Sequence, residues 1–386
     1  MLCSYPYKQI TLKDWDGDKL KWSHPCCNMS RPDWEDPMSV NEAHSLTPPE
    51  IFESEQFEML RDGFDNNRKH KFCKTCWDME KRDIEPFYIH NDDIVPRRQL
   101  DSIDFTLSNK CNLACRMCDP QTSHKLMVDW KFFKEQGLID DIEKVTAGKF
   151  REELNIPNVK KSIQYKWLLE NPVKELRFSG GEPFFDSLLT DLLDKYIKEG
   201  WAKDTILAYH TNGTLFNDEL IDKLNQFKKQ YPKISIDSIE EGYDYIRYPS
   251  IFDDLDRTIR LFLNNSTNLG RINIAVVISA LNILDLSKHF HWCQTLPKQV
   301  YVSYCEVYPD NRGISPKNLS RALLNELPYI DSRKHYQILQ SYKKRNVENK
   351  ESVKKEIELF DMARSQSYKN YLHPFLTEWL TGVTVL

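Results

Sequence analysis

The chain has 386 residues, 40% of them hydrophobic, which is enough for a packed core and for more than one domain. Its net charge of −5 is no electrostatic footprint for nucleic acid. A mean hydropathy of −0.61 and the lack of any apolar run near ~20 residues argue for a soluble protein and against a membrane span.

Met-Leu-Cys-Ser-Tyr-Pro at the start has no basic region followed by an apolar one. No secretory signal is read there, and a cytoplasmic location is expected. Eight of the ten cysteines, Cys3, Cys26, Cys27, Cys73, Cys76, Cys111, Cys115 and Cys118, fall in the first third. In a large chain without a signal peptide, such clustering points to metal ligands rather than disulfides.

Residues 1–99 read as an irregular, metal-binding domain punctuated by prolines, with one weakly amphipathic helix over Pro49–Arg61. A bound metal can supply folding free energy to a segment with so little regular structure. Cys73-Lys-Thr-Cys76 has metal-ligand spacing, and Cys26-Cys27 is a vicinal pair. Vicinal cysteines rarely share one ion, so the expected set is Cys3, one of Cys26 and Cys27, Cys73 and Cys76. Four thiolates suit a second 4Fe–4S cluster or a structural zinc equally well.

From Leu100 the pattern becomes strand and helix in alternation. Strands are predicted at Ser102–Ser108, Glu175–Ser179, Thr205–Thr211, Lys233–Asp237, Ile272–Ile278 and Gln299–Val307. Helices are predicted at Ser187–Glu199, Asn217–Phe227, Phe252–Leu263 and Asp285–Leu296. Alternation of this kind implies a parallel sheet with right-handed crossovers, an α/β fold. An insertion over 121–171, with helices at Lys125–Gln136 and Gln164–Glu170, reads as an elaborated crossover or a substrate lid. Residues 311–386 read as a helical extension, beginning with a helix over Ser315–Leu327 and ending in apolar residues expected to pack on the sheet.

The first of these strands runs into Cys111-Asn-Leu-Ala-Cys115-Arg-Met-Cys118. Three thiolates on one loop can hold three irons of a cubane cluster. The fourth iron is left open, as catalytic metal sites leave a position open. The second strand ends in Gly180-Gly181-Glu182, where glycines admit a close approach and the carboxylate suits an ammonium group. Asn212-Gly213 ends the third strand and is first of all a turn signal. Ser235 and Asp237 fall on one face of the fourth strand by period two, and Arg247 follows as a fork-shaped donor suited to a carboxylate. Cys305, in the sixth strand, reads as a buried core thiol, and Cys293 as structural.

The C-x3-C-x2-C loop, followed by these strand-end motifs, resembles the radical S-adenosylmethionine (radical SAM) enzymes over about Leu100 to Tyr308. The resemblance implies a partial (β/α)6 TIM-like barrel over residues 100–310. It implies a SAM-binding 4Fe–4S cluster on Cys111, Cys115 and Cys118, with SAM held by Gly180, Gly181, Glu182, Asn212, Ser235, Asp237, Arg247, Ser279 and Asn282. Met117 stands where the family usually has an aromatic residue and would pack on the adenine. The layout of the N-terminal cysteines resembles the auxiliary-cluster twitch or SPASM domain, placed here before the barrel.

The implied activity is reductive cleavage of SAM to a 5′-deoxyadenosyl radical that abstracts hydrogen from a substrate. The electron would come from a donor such as flavodoxin or ferredoxin. A peptide or protein side chain is one implied substrate, and a small polyol, sugar or nucleotide is the alternative. A non-catalytic iron–sulfur or zinc protein is the competing class. It would make no use of Gly-Gly-Glu or of Ser235 and Asp237.

Overall fold

A computed structural model describes residues 3–13, 15–16, 18–20, 23–26, 43–66, 68–81, 98–146, 148, 159–307, 309, 311–325, 327 and 333–383. Cys27 therefore lies outside the described residues. The chain divides into two compact units. The first comprises Met1–Asn109, Asn155–His210 and Lys223–Tyr231, and the second Lys110–Leu154, Thr211–Asp222 and Pro232–Leu386.

The first unit is built on β1 (Gln9–Leu12), β2 (Ser23–His24), β3 (Ser102–Thr106), β4 (Glu175–Ser179) and β5 (Ile206–Thr211). β3, β4 and β5 pair in parallel, with Ile103 opposite Leu176 and Leu176 opposite Leu207. Ile103, Phe105, Leu176, Phe178 and Leu207 are all buried, and Phe105 meets Tyr165 of the helix Ile163–Glu170. This is the core that the alternating pattern anticipates. The helix Ser187–Lys198 buries Leu188, Leu189, Leu192 and Leu193 on one face, as their spacing requires.

The N-terminal segment is not irregular throughout. β1 pairs in parallel with β3, Gln9 opposite Ser102 and Leu12 opposite Phe105, and antiparallel with β2. The predicted helix Pro49–Arg61 is two helices, Pro48–Phe52 and Glu55–Asp65. The break falls where Ser54 turns extended, with ψ of 157°, and starts the second helix. A further helix, Lys74–Lys81, carries the second cysteine of the Cys73–Cys76 pair.

β6 (Lys229–Ser235) begins in the first unit and ends in the second. In the second unit it pairs in parallel with β7 (Asn273–Ile278), which pairs in parallel with β8 (Tyr301–Glu306). The class is therefore the expected α/β, with parallel strands crossed over by helices, and the C-terminal region is helical. The fourth predicted strand ends early, so Asp237 lies beyond β6 rather than on its face.

Several elements of the second unit differ from expectation. The insertion contains an additional helix, Ile139–Thr146. The predicted helix Ser315–Leu327 is a 3-10 turn, Pro316–Asn318, and a short helix, Arg321–Asn325. The Asn318 amide donates to the carbonyls of Arg312 and Gly313, and the Ser320 hydroxyl accepts from Leu323 N–H. Local side-chain bonds of this kind compete with a continuous helix. The apolar end behaves as expected, since Leu372, Leu376 and Leu380 share one core with Val276, Ile278 and Tyr304. Cys305 is corrected: it is exposed, because strand alternation turns it to the face opposite buried Tyr304. Cys293 is buried on the helix Leu286–Gln294.

Candidate active site

In the second unit the segment Lys110–Asp119 has no regular secondary structure, yet much of its backbone is hydrogen-bonded. Ala114 N–H donates to Tyr248 O at 2.7 Å and Arg116 N–H to Ile246 O at 2.9 Å. Cys111 N–H donates to His124 Nδ1 at 3.0 Å. The carbonyls of six successive residues, Asn112 to Met117, each accept a bond. The donors are Lys125 Nζ, Ser123 Oγ, Arg364 Nη2, Cys118 N and, for the last two carbonyls, Arg312. Buried backbone groups demand such partners, and here side chains supply most of them.

This anchoring gathers the three thiols. Cys111 and Cys115 are buried together with Leu113, and Cys118 packs against them. The Cys115 thiol hydrogen-bonds to Cys118, which pulls Cys118 down to about 7 and pushes Cys115 up. Arg247 Nη1 lies 3.8 Å from Cys115 Sγ, and its charge favours the thiolate at both positions. Thiolate is the form that binds metal.

Arg247 is itself fixed by Asp237, with Nη2 and Nε at 2.6 and 2.7 Å from Oδ2. Burial works against the guanidinium charge, but Asp237 and Cys115 hold it above its ordinary value. Burial pushes the Asp237 carboxyl up, while Arg247 and the Val277 N–H at 2.7 Å pull it down. The pair thus puts a fixed positive group beside the thiols.

The remaining residues expected at the site have definite places. Asn212 donates to Asn112 Oδ1 at 2.8 Å and accepts from Thr214 N–H, tying its turn to the cysteine loop. Ser235 is half-buried at the end of β6. Ser279 and Asn282 are 0% and 1% exposed, and their polar atoms are spent on one another and on the backbone of Asp237, Val277 and Leu281. That arrangement organises the turn after β7. Met117 is half-buried against the core of the second unit.

In the first unit Gly180 has φ of +131°, and a Cβ there would stand 2.6 Å from Ser108 O. Gly181 N–H donates to the same carbonyl at 3.0 Å. The glycines therefore serve a close approach of β4 to the chain leaving β3. Glu182 is 1% exposed, and its carboxylate accepts from Phe184 N–H at 3.2 Å.

Also in the first unit, Cys3 and Cys73 pack against Cys76, Phe64 and Trp77. Burial and the neighbouring thiols push Cys3 up to about 11 and Cys73 up to about 12. Cys26 is half-buried, and its carbonyl lies 2.5 Å from His24 Nδ1. Among the described residues no three His, Cys, Asp or Glu side chains converge as ligands of a single ion. A cubane asks for less convergence, since each thiolate meets its own iron.

Sequence reasoning passed over Arg312 and Arg364, which bind the loop from far along the chain, and over His124 and Lys125, each 13 residues from its partner. Only the loop's own irregularity could have signalled that it needs such donors.

The second unit thus gathers three thiols on one anchored loop with a buried arginine beside them, a donor set suited to an iron–sulfur cluster. The Radical SAM superfamily model matches residues 105–293. These residues, just under half of the chain, carry a radical SAM domain. Among curated relatives, a GTP 3′,8-cyclase of Clostridium acetobutylicum is 20% identical over 236 residues, 60% of this chain and 63% of that protein. An Fe-coproporphyrin III synthase of Methanosarcina barkeri is 26% identical over 48% of this chain and 39% of that protein. The chain thus spans less than two thirds of the length of these relatives. Among solved structures, anSMEcpe with bound AdoMet is 14% identical, at a TM-score of 0.34, over 74% of this chain and 68% of that one. SuiB of Streptococcus suis bound to S-adenosylmethionine is 13% identical, at a TM-score of 0.35, over 75% and 50%. No helix among the described residues is long and apolar enough to cross a membrane.

Proposed function

We propose that this chain is a radical SAM enzyme whose Cys111, Cys115 and Cys118 hold the SAM-binding 4Fe–4S cluster. The observation that carries this reading is the gathering of the three thiols on one anchored loop with Arg247 beside Cys115. The donor set fits the group: three thiols and no fourth on the loop leave one iron open. When bound, the cluster and SAM together supply a 5′-deoxyadenosyl radical that abstracts a hydrogen atom from a substrate.

The chain's own residues bind, orient and exclude water. Arg247 keeps a positive charge at the thiolates and offers a partner for the SAM carboxylate. Glu182, acceptor-only when ionised, suits the SAM ammonium group, with Gly180 and Gly181 giving the approach. Ser235 and Asp237 suit ribose hydroxyls. Asn212 shapes the loop through Asn112. Burial of Cys111 and Cys115 keeps water from the metal. The electron comes from a flavodoxin- or ferredoxin-type donor, in keeping with a cytoplasmic setting where thiols stay reduced.

The N-terminal thiols Cys3, Cys73 and Cys76, with Cys26 or Cys27 as fourth ligand, form a second site in the manner of a twitch or SPASM domain. It takes an auxiliary 4Fe–4S cluster, with zinc as the alternative. The packing of half-buried Cys3 and Cys73 against buried Cys76 supports it.

The substrate is a peptide or protein side chain in the first reading. Similarity to GTP 3′,8-cyclases favours a second, a nucleotide. Anaerobic reconstitution, dithionite and a 5′-deoxyadenosine assay test the reaction. An intact, reducible cluster that cleaves no SAM sinks it. Deuterium carried into deoxyadenosine from a labelled peptide or from labelled GTP separates the two substrates.

A further inference from the structure

We propose that Arg312 and Arg364 are positioning residues for the radical centre, which makes the helix Lys350–Arg364 part of the cluster's scaffold. The proposal rests on the reading that Cys111, Cys115 and Cys118 hold the cluster. Arg312 donates through Nη1 to Met117 O and through Nη2 to Arg116 O, both at 2.7 Å. Arg364 Nη2 donates to Ala114 O at 2.7 Å. These three carbonyls flank Cys115 and precede Cys118, so their placement sets where two of the three sulfurs stand.

Each guanidinium is itself held. Arg312 pairs with Glu356 of the same helix at 2.5 Å, side chains 2% and 1% exposed, and the second Glu356 oxygen accepts Ile314 N–H at 3.0 Å. Arg364 pairs with Asp129 at 2.7 Å. A third buried pair, Arg116 with Asp361 at 2.7 Å, joins the loop to the helix directly. Arg116 also stacks 3.6 Å over Tyr245, whose hydroxyl donates to Asp361.

Gly313 permits the approach that lets Arg312 reach. A Cβ there would overlap the Ser352 carbonyl oxygen. A planar fork can serve two carbonyls and a carboxylate at once, whereas an ammonium is a point donor. Replacing these arginines by lysine therefore keeps the charge and removes the geometry. Groups behind metal ligands tune both retention and electronic state of the metal.

The experiment uses the full chain, reconstituted anaerobically, with Arg312→Lys and Arg364→Lys as variants. Arg345→Lys is the control, because Arg345 pairs with Glu306 on β8 and is not among the loop's donors. The readouts are the rate of iron release to a chelator, the EPR signal of the reduced cluster with and without SAM, and the melting temperature. Both variants should release iron at least about tenfold faster than the native protein and shift or broaden the SAM-dependent signal. Arg345→Lys should match the native protein.

Release rates and spectra equal to native in both variants overturn the proposal. So does a loss of metal fully matched by a fall in melting temperature, which marks a structural role alone. Should neither variant accumulate folded, hydrogen exchange on the metal-free native chain decides. Amides of Ala114, Arg116 and Cys118 exchanging with the slow class of the helix Lys350–Arg364 support the proposal, and exchange faster by about a hundredfold overturns it. Failure of the proposed reaction would show separately, as a native protein that binds no iron or cleaves no SAM.

Discussion

Gly180→Ala tests how tightly the turn after β4 is built. Gly180 has φ of +131°, a conformation that costs an L residue on the order of 1–3 kcal/mol. The new methyl would stand 2.6 Å from Ser108 O and 3.0 Å from the Thr106 methyl. The carbonyl cannot swing away freely, since it accepts Gly181 N–H at 3.0 Å. Loss of that bond adds about 0.5–1.5 kcal/mol. The expected total is roughly 2–4 kcal/mol of unfolding free energy. Gly200→Ala is the matched control: its φ is +73°, nothing lies within 4 Å of its Cβ, and only the backbone cost of about 1–2 kcal/mol applies. Urea unfolding of the metal-free chain measures both. Gly180→Ala should be the less stable by about 1–2 kcal/mol and should weaken SAM binding, while Gly200→Ala should bind normally. Equal losses in the two variants would refute the close approach.

Other expectations are as direct. A chain lacking Cys111, Cys115 and Cys118 should lose SAM cleavage but keep the metal of the N-terminal site. Elemental analysis then reads iron if that site holds a cluster and zinc if it holds a single ion, and no retained metal rejects the site. Burial pulls His289 down to about 4 from 6.5. It stays neutral in the fold, so its contribution is present above pH 6.5 and is lost as pH falls toward 4. The loss is on the order of 3 kcal/mol. His289→Gln should flatten the pH dependence of unfolding free energy across that window, and an unchanged slope would reject the assignment. Leu376→Ala, at a site 1% exposed in the core shared with Ile278 and Tyr304, should cost about 2–5 kcal/mol in urea unfolding. A cost under about 1 kcal/mol would mean the tail does not complete that core.

Much of the α/β framework was legible because its signals are local. Glu175–Ser179 stands where its alternation put it, and the leucine stripe of Ser187–Lys198 faces the core. Helix breaks were missed where a single side chain intervened, as Asn318 does by binding the carbonyls of Arg312 and Gly313. Ser279 and Asn282 carry the right chemistry for a ligand, yet in the fold their polar atoms go to the backbone. Chemistry-bearing side chains look alike in sequence whether they serve a ligand or a turn. Cys305 was misread because apolar neighbours in a strand suggest burial, whereas only the position of the strand decides which face is covered.

The sequence by itself determined the spacing of Cys111, Cys115 and Cys118, the turns at Gly180–Gly181 and Asn212–Gly213, and the alternation of strands and helices. Each depends on residues a few positions apart. Tertiary structure alone decided that β1 pairs with β3, that Arg247 meets Asp237 and Cys115, and that Arg312 and Arg364 hold a loop 196 and 250 residues away. Hydrogen-bond partners across such separations are chosen by the packing of the whole unit. No local pattern encodes them.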